Sequence, residues 1–314
     1  MRNISRRDFL VLLAATAPGL ATGLAAGDQS GAVADRSPRV GIALGAGGAN
    51  GLAHILMLEA LDEMDIRPHR VSGSSIGAVI GAMYASGMTG RAIHRLVDRF
   101  LISSDEGVFE QLADRDALRW MEFIEIELGS GGLVSSQGFL SFVYETIHKD
   151  DFESLNIPLS IAAADFWERE PVRLDAGPLL PAISASMALP GVFQPVVIGD
   201  RVLVDGGTVN PVPYDLLDDC EVVIAVDVIG ERSRAPGGIP GYFETIFNSA
   251  KIMQKAIMAE KLRRRAPDIY IRPRIVDVRA LEFYKAEQVF GQAAPAKREL
   301  KRRLRRLLKA HPSS

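Results

Sequence analysis

The chain has 314 residues, of which 47% are hydrophobic and 24% are charged, as in an ordinary soluble globular protein. Its formal net charge of −3 gives no reason to expect a nucleic-acid-binding protein. The single cysteine, Cys220, excludes an intramolecular disulfide and a cysteine-based zinc cluster. The stability of the fold therefore has to come from packing, and no metal site is predicted.

The N-terminal residues 1–34 predict an export signal rather than a part of the fold. Residues 5–10 read Ser-Arg-Arg-Asp-Phe-Leu, which resembles a twin-arginine signal, and a weakly apolar run follows at residues 11–26. This run is too short and too rich in Gly and Ala to be expected to span a bilayer. Residues 32–34 have the small side chains of a signal-peptidase site. We expect residues 1–34 to be removed and the mature protein to be periplasmic or secreted; the alternative is an uncleaved basic helix or anchor.

Beyond residue 38, short β-branched runs alternate with longer stretches of helical periodicity. The predicted strands are residues 40–44, 70–72, 159–164, 172–175, 196–198, 201–204, 222–228 and 269–271. The predicted helices are residues 51–64 and 76–86, one capped by Thr89 and ending near residue 100, one ending at residue 148, and residues 179–189 and 242–265. Residues 102–134 are predicted to be partly helical and partly mobile. Alternating strands and helices indicate an α/β protein whose mainly parallel sheet has helices on both faces.

The first motif with chemical meaning is Gly73-Ser74-Ser75-Ile76-Gly77, between a predicted strand and a predicted helix. A serine on such a turn can adopt strained dihedral angles and point its hydroxyl outward, while the flanking glycines leave room for backbone and substrate. The N-terminus of the following helix also favours developing negative charge. The competing interpretation is a glycine-lined turn before a tightly packed helix, but the position of the motif favours a nucleophilic Ser75.

The second motif, residues 45–51, reads Gly-Ala-Gly-Gly-Ala-Asn-Gly and also lies between a strand and a helix. Glycines here let successive backbone N–H groups converge on an anion. Such a loop serves either phosphate binding or an oxyanion hole for a tetrahedral intermediate. The loop lacks the Lys-Ser/Thr pair of a phosphate-binding P-loop and is not a clean dinucleotide motif. Taken alone, it leaves both functions open.

The third motif is Asp205-Gly206-Gly207, at the end of a predicted strand. Asp-Gly is a common turn dipeptide, so a turn is the preferred interpretation of this motif alone. A hydrolase triad of this fold class would run serine, acid, histidine along the chain. The histidines that follow Ser75 are His94, His148 and His311. None of them follows a strand end beyond Asp205, so a Ser–His–Asp triad is not expected.

Four segments together resemble the patatin-like phospholipase family. They are the glycine loop that leads into Gly51-Leu52-Ala53-His54, the elbow at residues 73–77, residues 184–193, and the turn at residues 204–207. They occur in the family's order and spacing over residues 38–230, which we take as the catalytic domain. The resemblance implies a three-layer α/β/α fold and a serine lipid acyl hydrolase of the phospholipase A or esterase type.

The resemblance also implies roles for individual residues. Ser75 is the expected nucleophile, Asp205 its base, and the backbone around Gly47, Gly48 and Ala49 the expected oxyanion hole. The supporting motif positions are Gly45, Asn50, Gly51, Gly73, Gly77, Gly206 and Gly207. Burial beside an acyl pocket would raise the pKa of Asp205 from the ordinary ~3.9 towards values useful for a base. The expected substrate is a lipid or another ester, and no cofactor is expected.

The sequence departs from the family pattern at Ala46, a small change from glycine, and at Asn50, where an arginine is usual. The latter removes a positive charge beside the expected oxyanion hole, and the substitution Asn50→Arg is therefore expected to raise activity. Two alternatives remain. The protein could be a weak or inactive lipid-binding protein, or an acyltransferase that uses the same dyad.

Residues 231–314 are predicted to form a helical extension packed on the same domain. Its last part, from Lys297 to Lys309, carries eight positive charges and one negative charge. The leucines that fall on one helical face are Leu300, Leu304, Leu307 and Leu308. The preferred interpretation is a terminal helix whose leucines pack on the domain. The alternative is an interfacial helix that holds the protein on an anionic membrane.

Overall fold

The computed structural model describes residues 38–102, 143–233 and 239–310. The predicted export signal and nearly all of the segment predicted at residues 102–134 lie outside the described residues. Residues 143–147 are helical, as expected for the end of the helix predicted to finish at residue 148. Within the described ranges, no helix is long and apolar enough to cross a membrane.

Besides the helical residues 143–147, the described residues form one eight-stranded sheet and six α-helices, with short 3₁₀ helices that include Gly48–Leu52 and Gly206–Thr208. The strands are β1 (Val40–Leu44), β2 (Arg70–Ser74), β3 (Leu159–Asp165), β4 (Pro171–Leu174), β5 (Val196–Ile198), β6 (Arg201–Asp205), β7 (Val222–Val226) and β8 (Ile269–Ile271). The helices are α1 (Ala53–Asp62), α2 (Ile76–Ala85), α3 (Gly90–Ile102), α4 (Leu179–Met187), α5 (Tyr242–Arg264) and α6 (Ala286–Ala310). Every predicted strand is present, with its ends shifted by at most two residues.

The strands follow the order β5-β6-β3-β2-β1-β7-β8, and β4 pairs with β3. From β3 through β2, β1 and β7 to β8, all neighbours are parallel. The pairings of β4 and β6 with β3, and of β5 with β6, are antiparallel. The predicted mainly parallel sheet is therefore confirmed, with a small antiparallel end.

Helices cover both faces of the sheet. Ile42 and Leu44 of β1 belong to a core cluster that includes side chains of α1, α2 and α6. Ala43, which points to the other face, packs in a second cluster with Ala225 of β7 and Met258 of α5. Strands buried on both faces explain the continuous apolar runs in the sequence. The fold is a three-layer α/β/α sandwich.

The pairing of β3 brings two distant parts of the chain together. Residues 161 and 162 pair with both β2 and β4, whereas residues 163 and 164 pair with both β4 and β6. Because a strand has only two hydrogen-bonding edges, β6 lies on the same edge of β3 as β2, just beyond the end of β2. Ser74 lies opposite residue 162 and Asp205 opposite residue 163. The end of β6 therefore meets the turn that follows β2.

The C-terminal part of the chain joins the same fold, since β8 extends the sheet and α6 packs against α1. Leu300 and Leu304 are fully buried. The ammonium groups of Lys297 and Lys301 donate hydrogen bonds to Glu63 of the turn after α1. Helix α6 thus packs on the domain, with Leu300 and Leu304 in the core. Contact of α6 with an anionic membrane stays a prediction, and it would not use these two leucines.

Candidate active site

Ser75 lies at the sharp turn between β2 and α2, with a φ of 55° and a ψ of −127°. A positive φ is unfavourable for a serine, and such strain, of the order of 1–3 kcal/mol, persists only where surrounding contacts enforce it. Here the N–H of Ser75 donates to Ser186 Oγ at 2.9 Å, and Ser186 Oγ donates to the Ala162 carbonyl at 2.7 Å. Ser186 of α4 thus ties the turn to β3, a role that the sequence did not reveal.

The glycines of the elbow are required by close backbone approach. A Cβ at Gly77 would lie 2.1 Å from the Leu44 carbonyl oxygen, and a Cβ at Gly73 would lie 2.5 Å from the Gly77 carbonyl oxygen. Real Cβ atoms do not come this close to backbone atoms. Only glycine at both positions therefore lets the N-terminus of α2 pack against the end of β1. The elbow predicted from the sequence is present with Ser75 at its apex.

Asp205, the last residue of β6, faces Ser75. The Ser75 hydroxyl donates to Asp205 Oδ2, with 2.8 Å between the two oxygens. The other carboxylate oxygen, Oδ1, accepts a hydrogen bond from the N–H of Gly207 at 2.6 Å. Next to it, a Cβ at Gly206 would lie 2.1 Å from the Ala162 carbonyl oxygen, so glycine is needed for β6 to end against β3. The two predicted residues meet, although 130 positions separate them.

The environment of Asp205 suits a base. Its side chain is almost fully buried, and burial raises its pKa from 3.8 to about 6, against the opposing effect of the hydrogen bonds from Gly207 and Ser75. A carboxylate with this pKa can accept a proton near neutral pH. Two of the histidines are engaged elsewhere: the Nε2 of His54 bonds the Gly45 carbonyl, and His94 pairs with Glu59. The arrangement is a direct Ser–Asp contact.

The glycine loop lies beside this pair. A Cβ at Gly207 would lie 3.0 Å from both the Ala46 Cβ and Asp205 Oδ1, and a Cβ at Gly51 would lie 2.3 Å from Ile76 Cγ2. The loop therefore packs against the turn after β6 through Ala46 and against the elbow through Gly51. Its start is held by the N–H of Gly45, which donates to the Val226 carbonyl at 3.0 Å.

The loop amides differ in what they contact. The N–H of Ala49 donates to the Ala280 carbonyl at 2.7 Å, so it is not available to an oxyanion in this structure. The predicted oxyanion hole is corrected accordingly, from three amides to two. The N–H groups of Gly47 and Gly48 form no hydrogen bond with any described residue, and they stand at the start of a 3₁₀ helix, where backbone donors lack partners. Their role as oxyanion donors stays a prediction.

Asn50 is fully buried rather than exposed beside the site. Neither polar atom of its amide has a hydrogen-bond partner in the described parts of the chain. A Cβ at Gly230 would lie 2.3 Å from Asn50 Nδ2, so the amide packs directly on the backbone after β7. An arginine at this position would require this segment to move. An increase in activity for Asn50→Arg stays a prediction.

Comparisons with known proteins bear on this geometry. The family model described as patatin-like phospholipase matches residues 42–218, which is more than half of the chain. The chain belongs to the patatin-like phospholipase family. The match includes Ser75, Asp205 and the whole glycine loop. Among the described residues of this patatin-like protein, no group of three or more His, Cys, Asp or Glu side chains is placed to hold a metal ion.

Curated relatives of this patatin-like chain include an uncharacterized NTE family protein of Mycobacterium tuberculosis, 32% identical over 63% of this chain. Another is lysophospholipase NTE1 of Kluyveromyces lactis, 26% identical over 80% of this chain. The matches span 51% of the mycobacterial protein and 18% of the fungal one. Among solved structures, VipD from Legionella pneumophila aligns with a TM-score of 0.44 and 16% identity, over 84% of this chain and 67% of VipD.

Proposed function

We propose that this protein is a serine lipid acyl hydrolase that cleaves carboxylic esters through Ser75 and Asp205. The observation that carries the proposal is the 2.8 Å contact between Ser75 Oγ and Asp205 Oδ2 at a strained elbow. A serine hydroxyl is inert at neutral pH without a base in direct hydrogen-bond reach, and Asp205 is that base. The family and a relative named lysophospholipase support a lipid ester as the substrate.

The proposed reaction has two steps. As Ser75 Oγ attacks the ester carbonyl carbon, its proton moves to Asp205 Oδ2, and the N–H groups of Gly47 and Gly48 stabilise the oxyanion. The C–O bond to the alcohol then breaks, the alcohol takes the proton from Asp205, and an acyl-enzyme remains on Ser75. In the second step water attacks the acyl carbon while Asp205 accepts a proton from it. The bond between that carbon and Ser75 Oγ then breaks, Asp205 returns the proton to Oγ, and the fatty acid leaves with the Ser75 hydroxyl restored.

The test is the substitution Ser75→Ala, with Ser74→Ala as the matched control. Ser74 is the preceding residue, and its hydroxyl is buried without a hydrogen-bond partner in the described residues. We expect Ser75→Ala to lose at least about 10³-fold in kcat/KM on a nitrophenyl ester, because nothing else supplies a nucleophile. Ser74→Ala is expected to stay within threefold of wild type. Activity of Ser75→Ala within tenfold of wild type would remove the assignment.

Two experiments on the wild-type protein test the lipid-binding and the acyltransferase alternatives. If a fluorophosphonate serine probe fails to label Ser75 while lipid still binds, the protein is a lipid-binding protein whose dyad is inactive. If labelling occurs and an added alcohol captures most of the acyl group in place of water, the protein is an acyltransferase. Hydrolysis with labelling at Ser75 supports the proposal.

We also propose export by the twin-arginine route, on the basis of the Arg6-Arg7 pair and the apolar run that follows it. The expected result is a mature chain that starts after residue 34, found outside the cytoplasm by mass spectrometry. Replacing both arginines with lysine is expected to leave the chain uncleaved. A cleaved product from that variant would contradict the route.

A peripheral contact with anionic membrane is a further part of the proposal, restricted to one face of α6. Since Lys297 and Lys301 point inward, the contact would use the exposed side chains only. These are Arg298, Arg302, Arg305, Arg306 and Lys309. Their spacing places them on one helical stripe. Basic side chains near a surface attract anionic lipid headgroups without any insertion of leucines.

A further inference from the structure

A short segment, residues 210–212, follows the turn that holds the proposed base, and we term it the bridging segment. The N–H of Asn210 donates to the Gly206 carbonyl at 2.7 Å, which closes the turn. The next residue of that turn, Gly207, donates its N–H to Asp205 Oδ1 at 2.6 Å. The position of the bridging segment therefore affects how Asp205 is held.

The same segment supports the glycine loop. The N–H of Ala46 donates to the Pro211 carbonyl at 2.8 Å, and a Cβ at Gly45 would lie 2.8 Å from Val212 Cγ2. Ala46 directly precedes Gly47, whose N–H is one of the two proposed oxyanion donors. The bridging segment thus contacts both the turn of the base and the start of the oxyanion loop, so its position sets the spacing between them.

Lys261 of α5 holds the bridging segment at both ends. Its ammonium group donates to Asn210 Oδ1 and, at 3.0 Å, to the Val212 carbonyl oxygen. The third partner of this group is the carboxylate of Asp215. The ammonium also lies over the ring of Tyr214, 4.5 Å from its centroid. Since an ammonium has three N–H donors, these three acceptors use all of them.

The bonds to the bridging segment are made inside the protein, whereas the ion pair is made near its surface. Asn210 and Val212 are buried, and only 18% of the Lys261 side chain is exposed. A buried oxygen that loses its donor is unfavourable, so the lysine and the segment stay together. Asp215 is half-exposed, and water can replace its contact. Among the described groups, burial and two hydrogen bonds set the pKa of Asp205, so Lys261 acts through geometry rather than through its charge.

We infer that Lys261 is a positioning residue, which sets the spacing between Asp205 and the glycine loop through the bridging segment. This inference rests on the proposed function and adds to it a residue that does not touch the substrate. Both steps of the proposed reaction pass through an oxyanion while Asp205 holds a proton. A shift of the oxyanion donors relative to Asp205 therefore slows both steps.

The test compares Lys261→Met with Tyr214→Phe. The first removes the three donors. The second keeps the ring beneath Lys261 and removes only the hydrogen bond from the Tyr214 hydroxyl to the Arg265 carbonyl, which ties down the same end of α5. We expect Lys261→Met to lower kcat on a nitrophenyl ester at least about tenfold, with KM within about threefold, because both steps slow together. Tyr214→Phe should stay within about twofold in both constants. An unchanged kcat in Lys261→Met, or an equal loss in the two variants, overturns the inference.

A reactive ketone separates positioning from a general loosening of the site. Ser75 Oγ adds to the carbonyl carbon of an alkyl trifluoromethyl ketone, its proton passes to Asp205, and the adduct carries an oxyanion. We expect the inhibition constant of this ketone to rise in Lys261→Met by the factor by which kcat falls. The inhibition constant of the corresponding methyl ketone, which binds without a stable adduct, should change less than about twofold. An equal rise for both ketones overturns the inference.

A second variant keeps the inference testable if Lys261→Met does not fold. Asn210→Ala removes one of the two acceptors in the bridging segment and leaves the bond to Val212. We expect kcat to fall by about threefold to tenfold, and the double variant to be about as slow as Lys261→Met alone, because both changes break the same contact. No loss in a folded Asn210→Ala, or a double loss equal to the product of the single losses, overturns the inference.

Hydrogen exchange separates this inference from the proposed function. In Lys261→Met, amide exchange measured by mass spectrometry should be at least about tenfold faster than in wild type over residues 206–212 and 45–48. Tyr214→Phe should show no such increase. This result is expected whether or not the wild type hydrolyses esters. Unchanged exchange in either segment overturns the inference even if Ser75 proves to be the nucleophile.

Discussion

Two regions of the molecule hold carboxylates in opposite ways. In the candidate active site, Asp205 contacts the Ser75 hydroxyl and the Gly207 amide, and no described cationic side chain forms an ion pair with it. At the contact between α1 and α6, which we term the α1–α6 seam, Glu59 and Glu63 both bind Lys297. The pKa of Asp205 is raised to about 6, whereas that of Glu63 is lowered to about 2 by its hydrogen bonds from two lysines.

The difference shows what decides whether a buried carboxylate stabilises the fold or does chemistry. Burial alone would raise the pKa of Glu59, but hydrogen bonds from Lys297 and His94 lower it overall, so this carboxylate stays ionised and holds α1, α3 and α6 together. At Asp205, the hydrogen bonds from Gly207 and Ser75 only partly offset the effect of burial, so the ionised form is destabilised. This is the property that the proposed base needs.

The largest expected effect comes from removing the charge of the Asp205 side chain. Asp205→Asn keeps the shape of the side chain but cannot accept a proton. We expect kcat/KM on a nitrophenyl ester to fall by roughly 10³-fold, within the range for loss of a general base. At the same time the variant should be more stable than wild type at pH 8, by up to about 3 kcal/mol for a pKa moved from 3.8 to about 6.

The pH dependence of that gain has a definite sign. Between pH 3.8 and about 6 the folded protein binds more protons at Asp205 than the unfolded chain does, so this group lowers stability as pH rises. The penalty is complete above about pH 6 and vanishes towards pH 4. Denaturant titrations of both proteins at pH 8 and pH 4.5 are therefore expected to show a gain that shrinks at the lower pH. A gain that is independent of pH would mean that Asp205 is not strained by its burial.

The next largest effect concerns the ion pairs of the α1–α6 seam and the stability of the fold. Lys297→Met leaves Glu59 and Glu63 without their shared cation, while Lys301→Met removes only one contact to the more exposed Glu63. We expect Lys297→Met to lower the free energy of unfolding by about 2 kcal/mol, less than for a fully buried pair because both partners touch water. Lys301→Met should cost less than about 1 kcal/mol. Neither should change kcat on the nitrophenyl ester.

An additional substitution tests whether the seam acts through charge. Adding Glu59→Gln to Lys297→Met removes the charge that was left unpaired, so part of the lost stability should return. If the double variant is less stable than Lys297→Met by the full effect of Glu59→Gln alone, packing of the Lys297 stem rather than pairing explains the loss.

Much of the fold could be predicted because the apolar runs and turn residues of the sequence indicate the strands and helices locally. The hairpin of β5 and β6 follows from two short apolar runs around Gly199-Asp200, and β1 has the bounds that its apolar run indicates. The helix α6 shows the limit. Its sequence pattern indicated the basic segment from Lys297, but the helix begins at Ala286 and contains Pro295. Packing against α1 and β8 overrides the local preference of the proline.

The main residues of the candidate active site could be predicted from the sequence, but only some of the contacts between them could. Ser75 was indicated by its place on a glycine-flanked turn between a strand and a helix. Asp205 was indicated only by the resemblance to the family, because its Asp-Gly motif alone predicts a turn. Two hydrogen bonds could not be predicted: the Ala49 N–H donates to the Ala280 carbonyl, and the Ser75 N–H donates to Ser186. Both join residues that only the folded sheet and helices bring together. No spacing in the sequence encodes those hydrogen bonds.

The smallest effect compares two neighbours in α6, since Lys301 points into the seam and Arg302 points to solvent. Both Arg302→Gln and Lys301→Met remove one positive charge, so any effect of net charge is the same. Suppose that the exposed basic side chains of α6 contact anionic membrane. Arg302→Gln should then weaken binding to anionic vesicles at low salt by at most about fivefold, and Lys301→Met should weaken it less. Vesicles of neutral lipid should bind neither. Equal weakening by the two variants would show that only net charge matters, and no binding by wild type would end the membrane proposal. The same variants in a denaturant titration should reverse their order, because Arg302 is exposed and forms no ion pair with another described residue, whereas Lys301 pairs with Glu63.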